Sequence, residues 1–344
     1  MKAAPLIGIR KIEIQDVPLP FIQSESDVLL RVLAVGICGS DLQYYSTGRI
    51  GTDKVKFPFI IGHECVAEVE KIGRQVQKVK LGDRVVVDPA VTCGECDQCS
   101  QNRPHTCRNL RFLGCPGQME GSLAEYIVMP ESNCFLLEKG VDTKLGILAE
   151  PLSIGIYSVR LLGDSPVSSI AILGAGPIGL SVGLAAGDVG IAKIYMTDKI
   201  DARLEAVRKA GAAWTGNPDL SDIVAHIMEI EPAGLDAVFE CCGDQEALDQ
   251  AVELLAPGGK LMVVGIPEAD LVTFDAHKLR RKEITVQNVR RQNGCIPSAI
   301  DLIRRRTLDL DFMVTHTFSL DATQEAFDLV ENYRGGVIKA IIIP

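Results

Sequence analysis

The 344-residue chain is longer than one ordinary hydrophobic core supports and suits two domains. Hydrophobic residues at 47% and charged residues at 23% give the balance of a folded protein and exclude a largely disordered one. Acidic residues outnumber basic ones by 45 to 35, and the net charge of −10 opposes a phosphate backbone or an anionic lipid surface, which argues against nucleic-acid and membrane partners.

At the N-terminus, Arg10, Lys11, Glu13 and Asp16 interrupt any apolar stretch long enough for a secretory signal, so a cytoplasmic location is expected. Eleven cysteines then point to metal binding and buried thiols instead of a disulfide framework. Short β-rich runs at 28–35 and 84–87, separated by Gly, Pro and Asp turns, predict a β-rich first half. Within it stand Cys38, in VGICGSD, and the adjacent His63 and Glu64, in IIGHEC. A thiolate, an imidazole and a carboxylate are a plausible catalytic zinc set, because three protein ligands leave a fourth position for water or substrate. Next come Cys93, Cys96, Cys99 and Cys107, spaced C-x-x-C-x-x-C-x(7)-C in a loop with Gly and Asn. Four thiolates with this slack close around one tetrahedral ion and leave it no open position, so a second zinc there would be structural. His105 lies in the same loop but is superfluous once four sulfurs are present.

From Ile170 the pattern changes to apolar strand, glycine turn, helix and strand. The uncharged stretch 165–187 has the length of a membrane span, but Gly174, Gly176, Pro177 and Gly179 in its first half suit a strand, a tight turn and a helix better. Gly174, Gly176 and Gly179 form G-x-G-x-x-G, the arrangement that brings a pyrophosphate against bare backbone at a helix N-terminus. Asp198, nineteen residues beyond Gly179, is placed to accept hydrogen bonds from the adenosine ribose and to repel a 2′-phosphate, which predicts NAD. Lys199 and Arg203 act in the opposite sense. Further strands are expected at 237–240 and 260–264, with the helical DQEALDQAVELL between them and a PGG turn before the second. The alternation predicts a parallel, doubly wound sheet. Alternating EITVQNV at 283–289 predicts an end strand that could pair across a twofold axis. Two helices near 297–305 and 323–332 and the apolar end VIKAIII complete the chain. Cys241 and Cys242 read as small core residues, His226, His277 and His316 as surface or packing residues, and Arg304, Arg305 and Arg306 as a solvated helix face. The expected division is 1–152, 153–288 and 289–344, the last segment returning to the first domain.

With CGSD, YYSTGRIG, GHE, GDRV, the cysteine loop, AEPLS, GAGPIG and VRRQNGCIP in order, the chain resembles the zinc-containing medium-chain dehydrogenases over essentially its whole length. YYSTGRIG and AEPLS favour the polyol dehydrogenases within that family. The resemblance implies an α/β fold, with a β-rich GroES-like catalytic domain and a Rossmann domain. It implies oxidation of a secondary alcohol of a polyol to a ketone, with NAD and two zinc ions, one catalytic and one structural, in a dimer or tetramer. Carried over by position, Cys38, His63 and Glu64 become ligands of the catalytic zinc, with Glu150 of AEPLS entering or leaving the shell. Ser40 takes the proton from the alcohol, which zinc acidifies. Tyr44, Arg291 and Gln292 line the polyol and nicotinamide pocket; Tyr44, Glu150 and Arg291 would offer the polyol a donor, an acceptor and a multi-donor fork. Ile178, Arg203, Gly265, Ile266 and Arg290 join Gly174, Gly176, Pro177, Gly179 and Asp198 as cofactor contacts. Three positions depart from the family pattern: Gln43 replaces a proton-passing histidine, Ala67 a glycine expected at a turn, and Gln292 a tyrosine of animal relatives. The alternative activity is the same chemistry on an amino alcohol, as in threonine 3-dehydrogenase, or on another small secondary alcohol. A non-catalytic relative would have lost part of the first cluster, yet Cys38, Ser40, His63, Glu64 and Glu150 are all present.

Overall fold

A computed structural model describes residues 1–209, 211–305 and 310–344. They divide into two compact units, one made of 1–150 with 296–344 and the other of 151–295. Residues 289–295 thus belong with the second unit, seven residues beyond the return point expected from sequence.

The first unit is organised on the strand Asp27–Gly36, whose run DVLLRVLAVG is apolar on both faces and almost wholly buried. Along one edge it pairs antiparallel with Glu64–Ile72. The other edge is shared by Tyr126–Pro130 at its start and by Lys339–Ile343 at its end. The sheet runs Cys134–Leu136, Arg84–Val87, Glu64–Ile72, Asp27–Gly36, Lys339–Ile343 and Val314–Ser319. The terminal VIKAIII is therefore a buried inner strand, and its register sets Ile341 opposite Gly36, which in turn faces Glu64. Ala67 lies within a strand, fully buried opposite Val32 and Val85, so no turn needs a glycine there. Helix Thr323–Glu331 covers the sheet through Phe327, whose ring centroid lies 5.2 Å from that of Tyr45.

The second unit carries six parallel strands in the order Trp214–Gly216, Lys193–Thr197, Ser169–Leu173, Leu235–Glu240, Leu255–Val263 and Thr285–Asn288. In chain order this is 3-2-1-4-5-6, the doubly wound arrangement with its switch point between Ser169–Leu173 and Leu235–Glu240. The uncharged stretch 165–187 resolves into the strand Ser169–Leu173, a glycine turn and most of the helix Pro177–Asp188. Among the described residues no helix is long and apolar enough to cross a membrane. Pro257, Gly258 and Gly259 do not precede a strand as expected but fall inside Leu255–Val263, where the register jumps from Leu235↔Leu255 to Ala237↔Lys260. Having only one residue opposite four, the ladder expels the PGG segment as a bulge, with Gly258 at φ +79°.

Cys242 corrects another expectation. It is exposed, and Cys241 half-buried, because the chain leaves the carboxyl end of its strand after Glu240. Arg304 and Arg305 are exposed and pair with Asp301 on their own helix; Arg306 lies outside the described residues.

Candidate functional site

Cys38 sits immediately before helix Gly39–Thr47 with extended backbone, at φ −96° and ψ 157°. Asp41, in the first turn, holds this start in place: its Oδ2 accepts the Cys38 amide at 3.0 Å. Its Oδ1 accepts the Gly62 amide at 3.1 Å and lies 3.3 Å from His63 Nδ1. One buried carboxylate therefore ties the CGSD turn to the GHE turn and anchors one imidazole nitrogen, leaving Nε2 for a metal. The Phe112 ring, 5.3 Å away, packs against the imidazole. Burial pulls the His63 pKa down, but the charges of Asp41 and Cys38 outweigh it and raise it well above its ordinary value.

Glu64 begins the next strand with no exposed surface. Both of its oxygens accept from Lys339 Nζ at 2.7 Å, and the same ammonium donates to the Ile37 carbonyl at 3.0 Å. A Cβ on Gly36 would lie 2.1 Å from Glu64 Oε2, so only glycine leaves this carboxylate its place. Ligand atoms of Cys38, His63 and Glu64 all lie within 4.8 Å of one another. Glu150, in the first turn of helix Ala149–Arg160, is buried beside this set without belonging to it. Burial above all pushes its carboxyl up to about 7, with His63 and Lys339 pulling down and Glu64 pushing up. Ser40 is half-buried in the first turn after Cys38. Asp41 and Lys339 were not singled out from the sequence. The signal for Lys339 was a lone charge in an apolar run, and for Asp41 an acid three residues after a helix-starting cysteine.

The four loop cysteines also converge. Sulfur separations are 3.4 Å for Cys93–Cys107, 3.6 Å for Cys96–Cys99 and 3.8 Å for Cys96–Cys107. A tetrahedron with Zn–S bonds of about 2.3 Å has edges of about 3.8 Å, so the donor set fits one zinc. The backbone amides of Arg108 and Cys99 lower the Cys96 pKa, whereas burial, with hydrogen bonds to the Cys96 and Cys107 sulfurs, raises that of Cys99. His105 is buried in the turn Pro104–Thr106, outside the sulfur set.

In the second unit, Gly174 adopts φ +101°, Gly176 precedes helix Pro177–Asp188, and Pro177 opens it. A Cβ on Gly179 would come within 1.8 Å of the Gly174 carbonyl oxygen, so the turn tolerates no side chain there. Ile178 is half-buried in the first turn. Asp198 also has backbone partners: Oδ2 accepts the Ala175 amide and Oδ1 the Ile200 amide, each at 2.8 Å. It braces the glycine turn, and Arg203 Nη1 lies 3.7 Å from its Oδ2. Gly265 donates its amide to the Glu240 carbonyl at 3.0 Å, Ile266 is exposed after it, and Arg290 is exposed. Arg291 holds a left-handed backbone at φ +55°. Gln292 is buried, and its side-chain oxygen accepts the Cys295 amide at 2.7 Å, ahead of helix Ile296–Arg305. The residues expected to face the substrate are thus divided, Tyr44 in the first unit and Arg291 and Gln292 in the second.

Comparison with known proteins agrees with this architecture. Residues 24–139 match the alcohol dehydrogenase GroES-like domain, and residues 177–305 match the zinc-binding dehydrogenase family. The sorbitol dehydrogenase of Bacillus subtilis is 36% identical over 100% of this chain and 97% of its own length. An L-idonate 5-dehydrogenase of Vitis vinifera is 34% identical over 97% of this chain and 92% of its own. Among solved structures, an Escherichia coli oxidoreductase of unknown specificity superposes with a TM-score of 0.92 at 32% identity, covering 99% of this chain and 98% of that one. The chain belongs to the zinc-dependent medium-chain dehydrogenases and is an enzyme of their oxidoreductase class.

Proposed function

We propose that the enzyme oxidises a secondary hydroxyl of a polyol to a ketone with NAD. The observation that carries the reading is the buried acidic set at the first metal cluster: Cys38, His63 and Glu64 converge, and Glu150 lies beside them. Simple alcohol dehydrogenases place a second cysteine at the Glu150 position, and the full-length likeness to sorbitol dehydrogenase points the same way. When bound, zinc supplies a Lewis acid that acidifies the alcohol, and the nicotinamide accepts the hydride.

The rest falls to the protein. Cys38, His63 and Glu64 would hold the ion, Asp41 orients His63, and Lys339 offsets the Glu64 charge. Ser40 accepts the alcohol proton at its Oγ as it passes its own hydroxyl proton to water, since a neutral hydroxyl relays a proton without storing one. Gln43, half-buried on the same helix, does not titrate at neutral pH, so it does not carry that proton onward. The four loop cysteines hold a structural zinc, and the turn at Gly174–Gly179 seats the pyrophosphate. Asp198, the acid at the end of the second strand of the wound sheet, favours NAD over a 2′-phosphorylated cofactor. The exposed end strand Thr285–Asn288 supports a symmetric oligomer.

The test is cofactor reduction against a panel of polyols, threonine and simple alcohols, run with NAD and NADP. A matching polyol should exceed ethanol at least a hundredfold in kcat/KM, since each buried polar group left unpaired costs about 1–3 kcal/mol. NAD should be preferred by at least about tenfold. Threonine as the best substrate would replace the polyol reading with the amino-alcohol one.

A further inference from the structure

We propose that Cys115 and Asp53 form a positioning relay that makes the Tyr44 hydroxyl a hydrogen-bond acceptor toward the substrate; the proposal rests on the polyol reading, which sets Tyr44 against a substrate hydroxyl. The Cys115 sulfur lies 3.8 Å from Asp53 Oδ2 and 3.6 Å from the Tyr44 hydroxyl oxygen. An aspartate carboxylate only accepts, so the single thiol proton points to Asp53. The sulfur then meets Tyr44 through its lone pairs, and that contact takes the single phenol proton. With its proton committed, the phenol oxygen turns only lone pairs to anything else. Tyr44 and Cys115 are 6% and 5% exposed, so bulk water does not readily reverse the order. Burial, reinforced by the sulfur contact, raises the Tyr44 pKa, and the phenol keeps the proton the relay needs.

The placement matters as much as the polarity. Tyr44 is carried by the helix that begins at Cys38. Cys115 follows the strand Arg111–Phe112, whose Phe112 packs on the His63 ring. Both relay partners are therefore built on segments that abut the candidate catalytic metal. Tyr44, expected from sequence to donate, becomes a filter that requires a donating hydroxyl on the substrate.

The test has one arm without substrate and one with it. Raman difference spectra of the holoenzyme, wild type minus Cys115→Ala, isolate the S–H stretch of Cys115. Asp53→Ala, or Asp53→Leu should that variant fold poorly, is expected to shift the band to higher frequency as the carboxylate acceptor is lost. An unmoved band overturns the relay. The kinetic arm takes the best polyol from the panel with its monodeoxy and monodeoxyfluoro analogues, at the hydroxyl whose removal Tyr44→Phe no longer senses. Fluorine cannot donate, so the fluoro analogue should lose as much kcat/KM as the deoxy one, about tenfold for one hydrogen bond. Cys115→Ser, which keeps a proton to pass on, should preserve that penalty. Cys115→Ala frees the phenol to turn and donate, and should recover most of the fluoro analogue's rate. A fluoro analogue as good as the parent on the wild type overturns the relay while leaving the polyol reading intact. Turnover of no polyol overturns that reading and the substrate half of the proposal, and the Raman band alone then decides the thiol's direction.

Discussion

Lys339 and Glu64 are 1% and 0% exposed, yet each carries a charge, and their mutual contact is what makes either tolerable inside the first unit. Removing one partner of such a pair strands the other in low dielectric, typically at a cost of about 3–5 kcal/mol. Lys339→Met is therefore expected to lower stability by about that much in urea unfolding of chelator-treated protein, where no metal offsets Glu64. The double variant Lys339→Met with Glu64→Gln should recover a large part of the loss, because no unpaired charge remains. Additive losses would mean that the lysine acts by packing alone. Asp41 works differently. Its three contacts are all to the two metal-bearing turns, so its contribution is to orientation, and it links residues that lie more than twenty positions apart.

At the scale of elements, the wound sheet is tied at its first strand by Asp236. Its Oδ2 accepts from the Ser168 amide at 2.8 Å, the Ser168 hydroxyl at 3.0 Å and the Ser169 amide at 3.0 Å. Burial works to raise the Asp236 pKa, but these donors prevail and hold it below the usual aspartate value. A folded-state pKa below the unfolded one adds stability that is present above the unfolded value and lost as pH falls through the folded one. Asp236→Ala should thus cost about 2 kcal/mol at pH 7, the scale of hydrogen bonds to a charged group, with the gap to wild type closing below about pH 4. A gap unchanged down to pH 3 would remove the carboxylate from the explanation. The cysteine loop makes a second prediction at this scale. Two zinc ions per chain should be found by metal analysis, and chelation should remove activity before stability, because four closed thiolates exchange more slowly than a site with an open position. Cys93→Ser leaving folding and stability intact while abolishing turnover would reverse the assignment of the two sites.

For the whole molecule, the strand Thr285–Asn288 ends the wound sheet with one edge bare among the described residues, and its outward residues are largely exposed. An uncovered edge of this kind is a natural seam for a second copy. Light scattering at micromolar concentration should return a multiple of the 37.1 kDa chain mass, most simply a dimer or tetramer. A stable particle at the single-chain mass would reject this.

Much of the protein was set by short-range sequence. The four loop cysteines span fifteen residues, and the three glycines of the dinucleotide turn span six, so spacing alone limited what geometry they could adopt. The alternation of strand and helix after Ile170 likewise required a wound sheet, since parallel strands need long crossovers. Tertiary structure decided what depends on distant chain meeting distant chain. Lys339 reaches Glu64 across 275 residues only because the last strand inserts beside Asp27–Gly36, and no local pattern encodes that register. Asp198 was readable as an acid at the right offset, but its turn toward the Ala175 and Ile200 amides follows from backbone donors that exist only once the glycine turn has folded. Tyr44 lies in YYSTGRIG but Cys115 and Asp53 lie in no motif; the order of donor and acceptor among the three appears only when the fold brings one thiol between a phenol and a carboxylate.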